Sequence, residues 1–470
     1  MEALLDPPDP AAAPARDGHN ASQTAWNQNV LRLEDEKHEQ KGKASDKASL
    51  GAQQLEASSA NVPMLQAPEV QPPPDGGFMA WLHVVLSHFV FFNTWGVTNS
   101  FGVFQQYYEQ SLGHPPSDIS WIGSVQVFLL FFVGVYAGRA TDAGYFRHIF
   151  LSGVILQLMG TFLTSLCTDY WEIFLAQAIC VGLGHGFVFS PAMSVLSSYF
   201  STKRALAVGL AAVGGATGGI VYPAVANQLL YHSDIGFPWT IRIVGFIMLG
   251  THMPSLLFFR PRLPPRKAGK LIEWAALREL PYTSFAAAFF FNFWGLYFVF
   301  FYLGTFARDK LGVTDSVNLV VALNGVGVIG RFLPNLVGVY YTGTLNILLP
   351  FTFTAALLVF CWIAVSSVKA LWVFTAIYGI VAAGTQSLCL ATATVMVTDL
   401  RKVGTQVGMV LTIVSFATLT GPAIQGALIQ RDQGGYLYAQ IFSATSILIG
   451  AVLAVVARIS KAGSNLKVKI

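Results

Sequence analysis

Twelve apolar segments follow one another along this chain, and each is about twenty residues or longer. A helix of about 20 apolar residues crosses the hydrocarbon core of a bilayer and pairs its own backbone polar groups. The sequence therefore predicts an all-α integral membrane protein with twelve transmembrane helices. The predicted segments are 82–104, 118–138, 148–167, 171–196, 204–230, 239–259, 282–306, 317–340, 346–366, 370–397, 405–430 and 437–458.

The composition agrees with this class and limits the functions to consider. Hydrophobic residues make up 54% of the chain and charged residues 11%. The sequence contains no phosphate-binding loop, no clustered metal ligands and no paired catalytic carboxylates. Its basic residues lie at the predicted membrane faces, where they suit lipid headgroups and not nucleic acid. We therefore expect the lipid bilayer as a partner, and no enzyme activity, cofactor, metal or nucleic acid.

Residues 1–74 differ from the rest of the chain. They are rich in Ala, Pro, Ser, Gln and Lys, and they lack an apolar core near their start. Such a segment cannot bury enough apolar surface to fold, and it does not resemble a cleaved signal peptide. We predict a disordered cytosolic tail. Asn20 begins an Asn-Ala-Ser glycosylation sequon, which a cytosolic position would leave unmodified.

The distribution of Lys and Arg predicts the topology. With the N-terminal tail in the cytosol, the inside loops and the C-terminal tail hold sixteen of these residues and the outside loops four. This bias places both termini in the cytosol. The longest gap between segments, 260–281, is basic and rich in Pro, which is typical of a cytosolic linker. It separates a predicted six-helix bundle at 75–259 from a second bundle at 282–458, and residues 459–470 form a cytosolic C-terminal tail.

The two predicted bundles share a sequence pattern. Arg204 opens the fifth segment, and Pro223 follows after a run of glycines; Lys402 precedes the eleventh segment, and Pro422 follows in a similar place. Secondary transporters with two bundles are built from such repeats, and their substrate site lies between the halves near mid-membrane. The pattern favours a transporter.

Arg331 is the charged residue that lies deepest inside an apolar segment, and no carboxylate lies at comparable depth. A charge at that depth is costly and usually functional. A lone cation there attracts an anion, so we expect Arg331 to contact the substrate. The alternative is structural, since its donors could bind backbone carbonyls freed near Pro334.

The loop between the second and third segments reads GRATDAGYFRH. Gly138, Asp142, Gly144 and Arg147 in this loop resemble the signature loop of the major facilitator superfamily, although Ala143 replaces the usual basic residue. In such a loop a carboxylate can hold a neighbouring helix and act as a gate. A plain charged turn is the alternative.

Two further motifs resemble those of the monocarboxylate porter family. The first, DGGF in PPPDGGFMAW, contains Asp75, Gly76 and Gly77 just before the first segment. The second, YFSTKRALAVG, contains Lys203 and Arg204 at the start of the fifth segment. The tail and the short central loop look most similar to the fungal branch of that family. The resemblance implies the two-bundle facilitator fold and movement of a small solute, often an organic acid, by alternating access.

The resemblance also implies roles for single residues. In the animal members an Arg in the eighth span binds the substrate carboxylate, and Arg331 matches it. Those members carry an Asp one turn earlier, where this chain has Gly327, and a Lys late in the first span, where this chain has Asn99. Two of the three charged groups associated with proton-coupled lactate transport are therefore absent, and Asn99 becomes a candidate for substrate contact.

His185 and Tyr302 are the remaining substrate-binding candidates. No predicted segment carries Asp or Glu at mid-depth, so protons, if they are coupled, would have to bind elsewhere. Histidine is a suitable carrier, and His185 lies between glycines that allow close approach. Tyr302 belongs to a mixed aromatic and polar stretch in the seventh segment. For both residues the alternative is helix packing. The other histidines inside segments are His83, His88 and His252.

These observations predict a secondary or facilitative transporter that moves an organic acid or an acidic secondary metabolite, with efflux as the favoured direction. Uptake of a vitamin-like solute such as riboflavin, and a nutrient sensor that transports nothing, are the alternatives. We expect the protein in the plasma membrane, with the vacuolar membrane as the second choice.

Overall fold

The computed structural model describes residues 73–264, 272–313, 316–397, 403–463, 465 and 468–469. Most of the predicted disordered tail, including Asn20, lies outside the described residues. The same holds for residues 265–271 of the predicted linker and for Lys402 of the sequence repeat.

The described chain is built from helices, and no strand occurs in it. A 3₁₀ turn precedes the seventh helix. Four π-helical segments occur, two of them within helices α1 and α4 and two of them at the α2–α3 and α8–α9 junctions. The helices are α1 (Gly77–Leu112), α2 (Pro116–Ala140), α3 (Phe146–Thr164), α4 (Tyr170–Tyr199), α5 (Arg204–Tyr231), α6 (Gly236–Phe258), α7 (Leu280–Leu311), α8 (Val317–Val337), α9 (Thr344–Trp362), α10 (Val368–Met396), α11 (Val403–Arg431) and α12 (Leu437–Ala462). The π segments are Phe92–Gly96, Thr141–Tyr145, Phe174–Val181 and Gly338–Thr342, and the 3₁₀ turn is Ala276–Arg278.

By length and apolar composition, eleven continuous helices in the described part could cross a membrane. One of them, Pro116–Thr164, is 49 residues long and contains two of the twelve predicted segments. Its two arms, α2 and α3, meet at Gly144, whose φ of 96° lies outside the helical region. Glycine adopts this conformation without the strain that a Cβ would bring. The predicted all-α membrane fold is confirmed.

Small residues bring neighbouring helices into close contact. A Cβ at Gly214 of α5 would lie 2.1 Å from the carbonyl oxygen of His88 in α1. A Cβ at Gly330 of α8 would lie equally close, 2.1 Å, to the carbonyl oxygen of Ile380 in α10. Both distances are far below van der Waals contact, so only glycine permits these two helix pairs to approach as they do.

Several of the first six helices pack directly against helices of the last six. α2 packs along α11, and α5 packs along α8. α1 also contacts α7, where a Cβ at Gly102 would lie 2.5 Å from the carbonyl oxygen of Phe300. Helices from both halves therefore surround the centre of the protein.

The two halves repeat a local feature as well as a sequence pattern. The α2–α3 junction is a π segment with Gly144 at φ 96°, and the α8–α9 junction is a π segment followed by Gly343 at φ 90°. Pro223 lies inside α5 and Pro422 inside α11. These features support the repeat that the sequence predicted.

Candidate functional site

A small cavity lies among α1, α5, α7, α8 and α10. Two of these helices belong to the first six and three to the last six, so the cavity lies between the halves. Its walls are mostly apolar and aromatic, with one cationic group. The lining residues are Phe91, Trp95, Ala212, Phe293, Arg331, Gln386, Ser387 and Leu390.

Arg331 is the charged residue of this cavity, and only 4% of it is exposed. Its Nη2 donates to Gln386 Oε1 at 3.0 Å, whereas the buried Nη1 has no hydrogen-bond acceptor in the part of the chain that the structure describes. No salt bridge to Arg331 occurs among the described residues. A buried charge without a counter-ion is costly, so this arrangement is consistent with the predicted contact of Arg331 with an anion.

The structural alternative for Arg331 was that backbone carbonyls near Pro334 satisfy its donors. The side chain instead points its donors at Gln386 and the cavity. Its own carbonyl oxygen accepts a hydrogen bond from Asn335 Nδ2 at 2.7 Å, and Asn335 Nδ2 also donates to Ser387 Oγ at 2.5 Å. These bonds tie α8 to α10 beneath the guanidinium and hold it in place.

Other buried donors near the guanidinium also lack acceptors. They are Trp95 Nε1, Tyr297 Oη and Gln386 Nε2, on side chains that are between 1% and 6% exposed. Trp95 and Gln386 line the cavity, and Tyr297 interacts electrostatically with Arg331. Leaving a buried donor unpaired costs about 1–3 kcal/mol. The site therefore has an excess of donors, which an acceptor-rich ligand would satisfy.

Gly327 lies directly beside the guanidinium. A Cβ at this position would be 3.0 Å from Arg331 Nη1 and 3.2 Å from the Cβ of Ala383. An aspartate one turn before Arg331 would thus contact it. The glycine leaves the cation without an acidic partner at this position, and its lack of a Cβ permits the close contact of α8 with α10 here.

The other three predicted substrate contacts lie away from the cavity lining. Asn99 is fully buried and donates to the Gly215 carbonyl oxygen at 3.4 Å, between α1 and α5. Tyr302 contacts the Ser120 hydroxyl and donates to the Pro422 carbonyl oxygen at 3.2 Å. His185 is buried within the first six helices, in α4. Direct substrate contact by these three residues stays a prediction.

The predicted gating loop forms the α2–α3 junction. Gly138 packs closely against α4, since a Cβ at this residue would lie 2.8 Å from Ser190 Oγ. Asp142 is half-buried and has an interaction partner, Gly144 makes the break between the helices, and Arg147 is exposed. The gating role stays a prediction.

The two sequence motifs that start α1 and α5 meet in space. The Asp75 carboxylate accepts hydrogen bonds from the backbone N–H groups of Ser201 at 2.5 Å, Thr202 at 3.0 Å and Lys203 at 3.4 Å, and from the Ser201 hydroxyl. These donors hold the pKa of the Asp75 carboxyl well below its usual range. The carboxylate therefore holds the turn at 201–203, which leads into α5 at Arg204, and joins this turn to the start of α1.

Hydrogen bonds between the halves close one end of the molecule. We call it the Leu112 end, because α1 ends there and α2 begins. Ser316 donates to Gln106 Oε1 at 2.8 Å, and Arg308 Nη2 lies 3.6 Å from Glu109 Oε2. These pairs, together with Tyr302, connect the first six helices to the last six.

The sequence analysis missed most of the cavity wall. Trp95, Phe293 and Ser387 lie in long apolar segments and gave no separate signal. Gln386 could have been noticed, because a Gln inside an apolar helix needs a polar partner. Outside the site, the guanidinium carbon of Arg242 lies 5.0 Å from the centre of the Trp239 ring.

An all-α protein of membrane-length helices, with a buried cationic cavity between two repeated halves, is a membrane transporter. The sequence profile of the Major Facilitator Superfamily matches residues 85–394, and the chain belongs to this superfamily. Its relatives are transporters and not enzymes.

Several curated fungal proteins are similar to the chain over most of its length. An MFS-type transporter of Gibberella zeae is 45% identical over 84% of this chain and 90% of its own. MFS-type transporter dbaD of Emericella nidulans is 36% identical over 81% of this chain and 86% of its own. The aspyridones efflux protein apdF of the same organism is 36% identical over 83% of this chain and 80% of its own.

The fold is similar to that of a solved transporter. A bacterial homologue of the human lysosomal transporter Spinster, in an inward-facing and unoccupied conformation, aligns with a TM-score of 0.55 over 81% of this chain and 96% of its own. The two sequences are 18% identical, so this likeness concerns the fold alone.

Proposed function

We propose that this transporter moves an organic anion by alternating access, and that Arg331 binds the anionic group. The excess of buried donors around the cavity carries the proposal. Arg331 Nη1, Gln386 Nε2 and Trp95 Nε1 are buried, and they lack acceptors within the described chain. A carboxylate, enolate or sulfonate offers several acceptor lone pairs and a charge, so one such group satisfies more than one donor at once.

The apolar wall defines the rest of the solute. Phe91, Phe293 and Leu390 line the cavity together with polar groups from α8 and α10. Such walls favour an aromatic or extended apolar body, because its burial adds hydrophobic free energy to the charge contact. An acidic secondary metabolite combines both parts. The relative that is named an aspyridones efflux protein supports export of such a compound.

We place the chain in the monocarboxylate porter family of the superfamily, in its fungal branch. The contact of Asp75 with Ser201 supports this, because it joins the two motifs on which the resemblance rests. Gly327 and Asn99 replace two charged groups that are associated with lactate transport in the family. For this reason, and because the cavity wall is apolar and aromatic, the solute we propose is larger than lactate and more aromatic.

The transport cycle that we propose depends on the orientation in the membrane that the charge bias of the loops predicts. With both termini in the cytosol, the Leu112 end faces outward, and its closure by the pair Glu109–Arg308 belongs to a state that is shut to the outside. Movement of the bundle at 75–259 against that at 282–458 would break this closure and expose the cavity outward. We propose the plasma membrane as its location.

Binding by purified protein in nanodiscs tests the anion site. The ligands are naphthalenesulfonate and naphthamide, which share an aromatic body and differ in charge. Calorimetry should show that the wild type prefers the sulfonate. Arg331→Gln should weaken sulfonate binding about 10- to 100-fold, since hydrogen bonds to a charged group contribute about 1.5–3 kcal/mol. Amide binding should change much less, and Arg331→Lys should fall between.

A second buried arginine provides a matched control. Arg458 is 1% exposed, but its donors are satisfied by Asn346 Oδ1 at 2.5 Å and by the carbonyl oxygens of Gly463 and Asn465 at 2.9 and 2.6 Å. Arg458→Lys should lower thermal stability and leave the preference for the sulfonate unchanged. Equal binding of sulfonate and amide by the wild type, or unchanged sulfonate affinity in Arg331→Gln, would refute the proposal.

A further inference from the structure

Two histidines lie together in the interior of the first six helices, away from the cavity. His185 of α4 and His252 of α6 are both fully buried, and they interact electrostatically. His252 Nε2 lies 2.6 Å from the side-chain oxygen of Gln157. Because that oxygen can only accept, Nε2 carries the hydrogen. His252 Nδ1 is then a buried lone pair, and no donor faces it in the described chain.

His185 has even fewer partners. Neither of its ring nitrogens makes a hydrogen bond of ordinary geometry within the described residues, and the backbone carbonyl of Asn93 is the one group that faces the ring. One of them carries a lone pair in the neutral ring, so the two imidazoles together offer unused acceptor sites. Ordinary packing histidines bind at least one backbone or side-chain partner, as His83 does with the carbonyl oxygen of Met79 at 2.7 Å. The pair therefore has capacity for a proton that helix packing does not explain.

The surroundings of the pair contain dipoles but no fixed charge. From α1 the backbone carbonyl of Asn93 faces His185, and from α3 the Gln157 oxygen faces His252. Behind Asn93, Tyr222 of α5 donates to Asn93 Oδ1 at 2.6 Å. Among the described residues no Asp, Glu, Lys or Arg acts on either imidazole, from α2, α3 or any other packed helix. A single added proton would thus be held by carbonyl dipoles.

One short segment connects the pair to the cavity. Asn93 and Trp95 both belong to the π segment Phe92–Gly96 of α1. Asn93 is fixed by Tyr222 and by Thr251, whose hydroxyl donates at 3.0 Å, and Trp95 lines the cavity. Single π turns within α-helices are uncommon and occur often at functional sites. A change at the histidines that moves Asn93 would also move Trp95.

We infer that His185 and His252 form a proton-binding site that couples movement of the anion to movement of one proton. This inference rests on the proposed transport function. The proton comes from water when the bundle opens, binds an unused ring nitrogen, and leaves by the same nitrogen when the opposite side opens. A cation is costly in a sealed apolar interior, so its presence favours the hydrated, open state.

Proteoliposomes test the coupling with naphthalenesulfonate as the probe. A sulfonate stays ionised at every usable pH, so it cannot carry the proton itself. A pH difference of one unit should drive its accumulation up to about tenfold in the wild type, the limit for one coupled proton. His185→Gln and His252→Gln should lose this accumulation and keep the exchange of labelled for unlabelled probe at equal pH. His232→Gln, at an exposed histidine, is the control and should behave as the wild type.

The outcomes separate the two proposals. If the wild type exchanges the probe in an Arg331-dependent way but ignores the pH difference, the proton site is wrong and the anion site stands. Unchanged accumulation in both histidine variants would also overturn it. If no exchange occurs, the proposed function fails instead.

Nitrogen NMR of the labelled wild type in nanodiscs decides the proton site independently of folding defects in the variants and of transport. The expected result is one shared titration of the two buried rings. Rings that stay neutral from about pH 4 to pH 9, or that titrate independently, would contradict the inference.

Discussion

Gly327 determines whether the guanidinium of Arg331 has a fixed counter-ion. Because a Cβ at residue 327 would lie 3.0 Å from Arg331 Nη1, any acidic side chain there must contact the cation. We predict that Gly327→Asp places a carboxylate on the guanidinium and weakens the binding of anionic solutes. The introduced carboxylate would pair with the guanidinium, and the anionic group of the solute would have to compete with it.

The size of the effect follows from the distance. Two unit charges about 4 Å apart attract each other by about 4 kcal/mol at an effective dielectric constant of about 20. Desolvation of the introduced carboxylate and the tight contact with Ala383 offset part of this. A net competition of about 1.5–3 kcal/mol corresponds to roughly 10- to 100-fold weaker binding of naphthalenesulfonate.

Calorimetry in nanodiscs measures this loss, and Gly327→Asn is the matched control. The asparagine has nearly the same size and no charge, so it should weaken sulfonate binding far less. Equal losses in the two variants would show that crowding and not charge is responsible. Unchanged binding in Gly327→Asp would refute the assignment of Arg331 as the anion contact.

Two further predictions concern the ends of the helices. Asp75→Asn should lower the melting temperature at neutral pH, because the carboxylate holds the turn before α5. Folding lowers the pKa of Asp75, so its stabilisation is fully present above the ordinary carboxyl pKa of about 4 and declines progressively as the pH falls from there towards the lowered pKa of the folded state. In a pH series of melting curves, the difference between wild type and variant should therefore be constant above about pH 5 and should narrow steadily below about pH 4. Glu109→Gln should loosen the Leu112 end, with a shift of up to about fivefold toward the open state, because a partly exposed pair contributes about 1 kcal/mol or less. Electron-spin distances between labels at the exposed positions Gln110 and Lys310 measure this, and an unchanged distribution would count against the gate.

Much of the architecture could be predicted from the chain because apolar length and charge bias are local properties. Each segment that had to cross hydrocarbon carried its own signal, which is why twelve segments were found although α2 and α3 run together as one helix. The repeat was visible for the same reason, in Pro223 and Pro422. Arg331 was selected as a candidate for substrate contact because a charge inside an apolar segment is easily recognised in the sequence.

The rest of the site depends on which helices meet. Asn99, His185 and Tyr302 were selected for their position within single segments, but their contacts lie at helix interfaces outside the cavity lining. Gln386 and Trp95 could not be assigned in advance, since nothing in their own segments shows that α10 and α1 face α8.

Sequence alone is therefore enough to establish a twelve-segment membrane protein with an isolated cation at mid-span, because burial of apolar length and the cost of a lone charge do not depend on the partners. The hydrogen-bond partners of that cation are determined by helix packing. The close approach of α8 to α10 at Gly330 brings Gln386 to Arg331, and Gly327 leaves the second guanidinium nitrogen unpaired. These are contacts between residues distant in the chain, and they are the basis for the anion site that we propose at Arg331.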